Sequence, residues 1–149
     1  MNILVIVGLF LAGLLAGIEL IVRYGVHPAL MALPDREHLG ARHEIVRIVR
    51  VIVPAILLPS VLVSIAVLIV SGSGAGLPLR WAGVAVYVAY LLVVFFGTVP
   101  INSRFFDWNL DAPPDNWKLV MSRWALIDVF RSSLAILAFA VFLVAALLG

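Results

Sequence analysis

Four apolar runs, near residues 3–22, 51–70, 81–100 and 130–148, leave this chain few folds to choose from. Each has roughly the twenty residues that an α-helix needs to cross a hydrocarbon layer of about 30 Å. Lipid offers no partner to an open backbone N–H or C=O, so runs of this length become helices, which satisfy those groups internally. The expectation is an all-α integral membrane four-helix bundle, one domain over residues 1–149. With 64% hydrophobic and 12% charged residues, no stretch is left over for a soluble domain. The first run lacks the basic leader and small-residue cleavage site of a removable signal peptide, and is read as a helix of the mature chain. Residues 71–78, SGSGAGLP, are a connector: no strand precedes the glycines and no Lys-Ser/Thr pair follows, unlike a phosphate loop.

Charge is distributed unevenly. Nine of the ten basic residues flank the first and third connections, and only Arg80 stands at the second. The positive-inside rule makes the basic end cytoplasmic and puts both termini outside, in a bacterial-type inner or cell membrane. All eight acidic residues fall on the basic side, so one half of the bundle carries a polar crown. A net charge of +2 is no nucleic-acid footprint, and membrane lipid is the expected surface partner. The lack of cysteine excludes disulfides, thiolate nucleophiles, iron–sulfur clusters and Cys-based zinc sites.

The last helix begins near Trp117 and runs without Pro or Gly into the fourth apolar run. At about 1.5 Å per residue it outruns the membrane on the crown side. Trp117, Trp124, Asp128 and Arg131 recur at i, i+7, i+11 and i+14, one narrow stripe. Ionisable groups at that depth should face a protein interior and mark a functional site. Glu19, with Arg23 one turn on, raises the same expectation for the first helix, which His27 and Pro28 then bend. His43, Arg47 and Arg50 form a cationic stripe on the second helix, where Pro54 and Pro59 should kink the backbone. Small-residue rows, Gly8–Ala12–Ala16 and Ala85–Ala89, suit close helix packing or a homo-oligomer. Aromatic residues near the last connection, among them Phe105, Trp117 and Trp124, suit an interfacial belt or a wall for a flat aromatic ligand.

A metal has no evident home. Glu19, His27, His38, His43, Glu44, Asp107 and Asp128 are available as ligands by residue type, with Glu19, His27, His43 and Glu44 the set a metal would use, but none has ligand spacing. The stretch HEIVR, residues 43–47, starts like HExxH and then places Arg47 where the second His belongs. Neither a metal nor an organic cofactor is expected.

The run VPINSRFFDWNLDAPPDNWKLVMSRWALIDVFR, from Val99 to Arg131, resembles the signature of the DUF1772 or anthrone-oxygenase-like family of small four-helix membrane proteins. The matching elements are Pro100 and Asn102, the loop at Pro113 and Pro114, then Trp117, Arg123, Trp124 and Arg131. Asp128 stands where His or Asn is expected in relatives, a departure that either removes a proton-transfer role at that position or changes its partner. The resemblance implies oxidation of an anthrone- or hydroquinone-like aromatic molecule, with O2 as co-substrate and without metal or flavin. Taken together with the ionisable residues read from the helices, the candidates for catalysis are Glu19, His43, Asn102, Asp128 and Arg131. His27, Arg47, Phe105, Trp117, Arg123 and Trp124 are candidates for binding the substrate. Two other readings stand beside it: a non-enzymatic lipid- or quinone-binding accessory subunit, and a metal-dependent membrane oxidoreductase with Glu and His ligands.

Overall fold

The Asn2 side chain accepts a hydrogen bond from the Leu4 backbone N–H at 3.2 Å and opens the first of four helices. In the computed structural model, which describes residues 2–149, these are α1 (Ile3–Met31), α2 (Asp35–Val70), α3 (Leu77–Phe106) and α4 (Trp117–Leu147). Pro34 precedes α2, and Asp35 and Glu37 in its first turn complement the helix dipole. All four helices are long and apolar enough to cross a membrane, and no strand occurs among the described residues. This is a four-helix bundle of membrane type. At 29, 36, 30 and 31 residues, each helix is longer than the roughly 30 Å layer requires, so all four build the crown, not α4 alone.

Side-chain distribution follows the solvent. Phe10, Leu62, Ile69 and Phe96 are exposed on the outer faces, where lipid would meet them. Within the bundle, Ala12, Leu15, Leu57, Tyr87, Tyr90, Ala135 and Ala138 form the apolar core. The Gly8–Ala12–Ala16 row is used internally: Ala12 and Ala16 are buried, and a Cβ on Gly8 would lie 3.3 Å from Val63. On α3 the close approach falls elsewhere than expected. Ala85 is exposed, whereas a Cβ on Gly83 would come within 2.4 Å of the Phe142 ring of α4. In the crown, Leu39, Phe105 and Met121 make a second small core, packed against Trp108, Trp117 and Val120. Exposed ion pairs, Arg36–Asp111 at 2.8 Å and Lys118–Asp35 at 3.4 Å, join α2 to the last loop and to α4.

Two helices change pitch at matching places. Residues Val22–Val26 of α1 and Val94–Thr98 of α3 are π-helical, and each is followed two positions later by a proline, Pro28 or Pro100. Proline has no N–H to give and its ring crowds the carbonyl four residues back. The wider turn absorbs this: the His27 N–H bonds to the Val22 carbonyl and the Val99 N–H to the Val94 carbonyl. The prolines of α2 act differently, since Pro54 and Pro59 sit inside a helix that continues unbroken.

Candidate functional site

The residues that most resist burial in a membrane meet between the four helices at the base of the crown. Glu19 from α1 and Asp128 and Arg131 from α4 are buried together, Glu19 at 1% exposure and Asp128 at 2%. Arg131 is the hub. Its Nε donates to Glu19 Oε2 at 2.9 Å, its Nη2 to Asp128 Oδ1 at 2.7 Å and its Nη1 to Thr98 Oγ1 at 3.1 Å. Tyr90 of α3 completes the carboxylate's shell by donating its hydroxyl to Glu19 Oε1 at 2.6 Å. All of these groups come from helix interiors, so the geometry is fixed by helix packing and not by loops. Arg23 takes no part in the pair expected with Glu19. Its Nη1 instead bonds to Ser132 Oγ at 3.3 Å and Ser133 Oγ at 3.0 Å.

A second guanidinium packs on the same indole ring as the first. Arg42 of α2 is as buried as Asp128 and has no carboxylate within ion-pair distance among the described residues. Its Nε donates to His38 Nε2 at 3.2 Å and its Nη2 lies 3.3 Å from His27 Nδ1. A guanidinium has no acceptor, so both of those ring nitrogens must offer lone pairs. His27 therefore carries its proton on Nε2. Trp124 is shared by the two cations, its ring centre 4.5 Å from Arg42 Cζ and 5.6 Å from Arg131 Cζ. Its indole Nε1 is buried without a hydrogen-bond partner. Such an orphan donor is uncommon in a packed interior and is what a ligand oxygen would satisfy.

These groups wall a cavity of about 130 Å³. Glu19, His27, Arg42, Asn102, Trp124 and Arg131 line it, with Val49, Val53, Val94 and Val99 supplying apolar surface. The cavity is partly open, and α2 and α3 are the loosest pair of neighbours around the bundle. Both π turns contribute to it, through Val22 and Val26 on one side and Val94 and Thr98 on the other.

Of the residues singled out from the sequence, Glu19, His27, Arg50, Pro54, Asn102, Trp124 and Arg131 line this cavity. Asp128 stands behind it, holding Arg131. The others lie elsewhere. The His43 ring packs on Phe106, with ring centres 4.8 Å apart, and Arg47 is exposed in an ion pair with Glu44 at 2.8 Å. Phe105 is in the crown core and Trp117 packs against it. Arg123 is exposed in an outer groove between α3 and α4. Among the described residues no three His, Asp or Glu side chains converge as a metal-binding group.

Arg42, Tyr90 and Thr98 carry no expectation from the sequence, and His38 carries one only as an available metal ligand. On α2 the buried register is 38–42–46, offset by one residue from the cationic stripe 43–47–50. Leu39 and Val46 on that register were the available signal. On α3, Gly83, Tyr87 and Tyr90 mark one buried face by their spacing.

The stretch from 43 to 141 matches the family described as anthrone oxygenase. The chain belongs to the anthrone oxygenase family. Comparison with characterised proteins and with solved structures found no match. The anthrone oxygenase match takes in Tyr90, Thr98, Asn102, Trp124, Asp128 and Arg131. Glu19, His27 and Arg42 precede it, and only folding brings them onto the same cavity.

Proposed function

We propose that the chain is a membrane-embedded oxygenase that oxidises an anthrone- or hydroquinone-like molecule with O2 inside the cavity between its helices. The observation that carries this is the buried pairing of Glu19 and Arg131 in the wall of a cavity of about 130 Å³. A cavity of about 150 Å³ holds benzene, so one ring of a polycycle fits inside while the rest extends through the opening. The loose seam between α2 and α3 suits sideways entry from the bilayer, which would be the natural reservoir for a flat apolar substrate.

Chemistry without a cofactor needs a base, a place for negative charge and access for O2. Glu19 is the carboxylate on the cavity wall, and each of its oxygens keeps a lone pair beyond the bonds to Tyr90 and Arg131. His27 serves less well, because its unprotonated nitrogen already faces Arg42. Glu19 removes a proton from the methylene carbon of an anthrone-type substrate, and the ring carbonyl becomes an enolate. Arg131 and Arg42 line the same cavity and can act as donors for that oxygen. The carbanion gives an electron to O2 and the pair combine as a carbon hydroperoxide, taking one proton back. Loss of water then leaves a second carbonyl, so that CH2 and O2 become C=O and H2O. The reduction of O2 is balanced by oxidation at carbon.

Purified protein freed of metals should consume one O2 per molecule of anthrone-type substrate. Glu19→Gln should lower that rate by about 100- to 10,000-fold, the usual contribution of a positioned base. Absence of both binding and O2 uptake across anthrones and hydroquinones would end the oxygenase reading.

A further inference from the structure

Two polar side chains on the cavity wall, Arg50 of α2 and Asn102 of α3, take no part in the chemistry at Glu19 and Arg131. Arg50 is exposed, so it stands at the cavity's edge, and its guanidinium rests on the Phe106 ring with Cζ 4.6 Å from the ring centre. Phe106 is the last residue of α3, and the contact therefore crosses the loose seam between α2 and α3 at its crown end. Among the described residues no carboxylate comes within ion-pair distance of Arg50. The acidic side chain one and a half turns back on α2, Glu44, is held by Arg47 at 2.8 Å.

Thr98, Asn102 and Phe106 follow one another at four-residue spacing along α3. Thr98 accepts from Arg131 at 3.1 Å, Asn102 lines the cavity and Phe106 carries Arg50. From Thr98 to Phe106 the helix rises roughly 12 Å, from the sealed ion cluster to the polar boundary. Charge does not balance over that distance. Arg42, Arg50 and Arg131 line the cavity with one carboxylate, Glu19, and Asp128 behind Arg131 supplies a second. His27 adds none, since its Nδ1 offers a lone pair to Arg42. One positive charge is left over, and of the three guanidiniums Arg50 is the one resting on a ring face instead of on acceptors. Low-dielectric walls strengthen the field of such a charge and draw anions toward it.

We propose that the substrate is an anion, an aromatic polycycle with a carboxylate on a terminal ring, and that Arg50 is the residue that selects it. This rests on the oxygenase reading of the same cavity. The reacting ring lies toward Glu19 and Arg131, and the carboxylate stays at the edge on Arg50, with Asn102 between them. A carboxylate on an aromatic ring is planar and presents two oxygens, which match the paired N–H groups of a guanidinium. An amphiphile of this kind already lies in a bilayer with its rings among the tails and its charge at the polar boundary. The seam between α2 and α3 has the same polarity, apolar along Val49, Val53 and Val94 and cationic at its crown end.

Isothermal titration of the purified protein in dodecylmaltoside with two unreactive probes tests this: anthraquinone-2-carboxylate and its neutral carboxamide. The carboxylate should bind about 10- to 100-fold more tightly, the worth of one hydrogen bond between charged groups. Arg50→Gln should remove that preference and leave the affinity for the carboxamide unchanged, while Arg50→Lys should keep part of it. Arg104→Gln takes the same charge from an exposed position in the outer groove between α3 and α4, and should leave the preference intact. Equal affinity for the two probes, a preference that survives Arg50→Gln, or one lost equally in Arg104→Gln overturns the role of Arg50. Binding of neither probe overturns it as well. Uptake of O2 with unsubstituted anthrone, which carries no anionic group, then shows whether the oxygenase reading stands without it.

Discussion

Arg131 binds three acceptors at once, so its replacement is the most direct test of the buried ion cluster. Arg131→Met keeps much of the side chain's length and leaves Glu19 Oε2, Asp128 Oδ1 and Thr98 Oγ1 without their donor. Removing one partner of a buried ion pair costs about 3–5 kcal/mol, because the other charge stays behind unpaired. Here one deletion strands two carboxylates, which places the expected cost at the top of that range. Glu19→Gln and Asp128→Asn each remove one charge while leaving an amide oxygen to accept from Arg131. Each should cost about 1.5–3 kcal/mol, the worth of one charge-assisted hydrogen bond. Arg131→Lys should fall between, since an ammonium is a point charge and cannot span three acceptors in one plane. Unfolding of the four variants by SDS titration from dodecylmaltoside micelles gives the order directly. If Arg131→Met unfolds within about 1 kcal/mol of the unaltered protein, the pairs behave as solvated surface bridges and the reasoning fails. With an oxidised substrate in hand, the same variant should lose about 100- to 1,000-fold in turnover, the usual loss for one oxyanion donor.

Trp124→Phe removes a hydrogen-bond donor that has no partner in the protein and keeps an aromatic face for Arg42 and Arg131. Stability should stay the same or rise by up to about 1 kcal/mol, while KM rises about tenfold if the indole N–H holds the substrate oxygen; unchanged KM removes Trp124 from binding. Gly83→Ala and Gly40→Ala should move stability in opposite directions in a thermal melt. The first forces a methyl to within 2.4 Å of the Phe142 ring, at a cost of about 1–3 kcal/mol. The second meets nothing within 4 Å inside helix α2 and should gain roughly 0.5–1 kcal/mol. Arg36→Ala breaks an ion pair whose side chains are 78% and 71% exposed, and should shift the melt by no more than about 1 kcal/mol.

The fold was legible because hydrocarbon punishes every alternative: an apolar run of twenty residues has to be a helix there, and four of them have to pack together. The stripe on α4 was legible for a related reason. Trp124, Asp128 and Arg131 share one face, and burying that face is the cheapest arrangement for two charges set in an apolar helix. Partners across helices were not legible. Glu19 has Arg23 one turn away in sequence, yet its cation is Arg131, 112 positions further on. Local spacing ranks Arg23 first; rotation of α1 against its neighbours decides the outcome. On α2, two stripes offset by one residue both carry His and Arg, and only the apolar neighbours Leu39 and Val46 mark which one is turned inward. Packing buries His38, Arg42 and Val46, leaves His43 half-buried and Arg47 exposed, and keeps the exposed Arg50 at the edge of the cavity.

One signal that bears on the site was present in the sequence. Val22-Arg23-Tyr24-Gly25-Val26-His27-Pro28 and Val94-Phe95-Phe96-Gly97-Thr98-Val99-Pro100 share the pattern Val-x-aromatic-Gly-x-x-Pro. Both segments fold into π turns at the same offset from the proline, and both turns border the cavity. Each of them also delivers one polar group to one buried arginine. His27 follows the first turn and accepts from Arg42, while Thr98 closes the second and accepts from Arg131. A regular α-helix through either segment would rotate every later side chain by part of a turn, taking the acceptor off its guanidinium. The prolines thus do more than bend the helices. Their missing N–H groups favour the wide turns, the wide turns aim two acceptors inward, and those acceptors keep two cations on the wall of one apolar chamber, where a substrate's developing negative charge would find them.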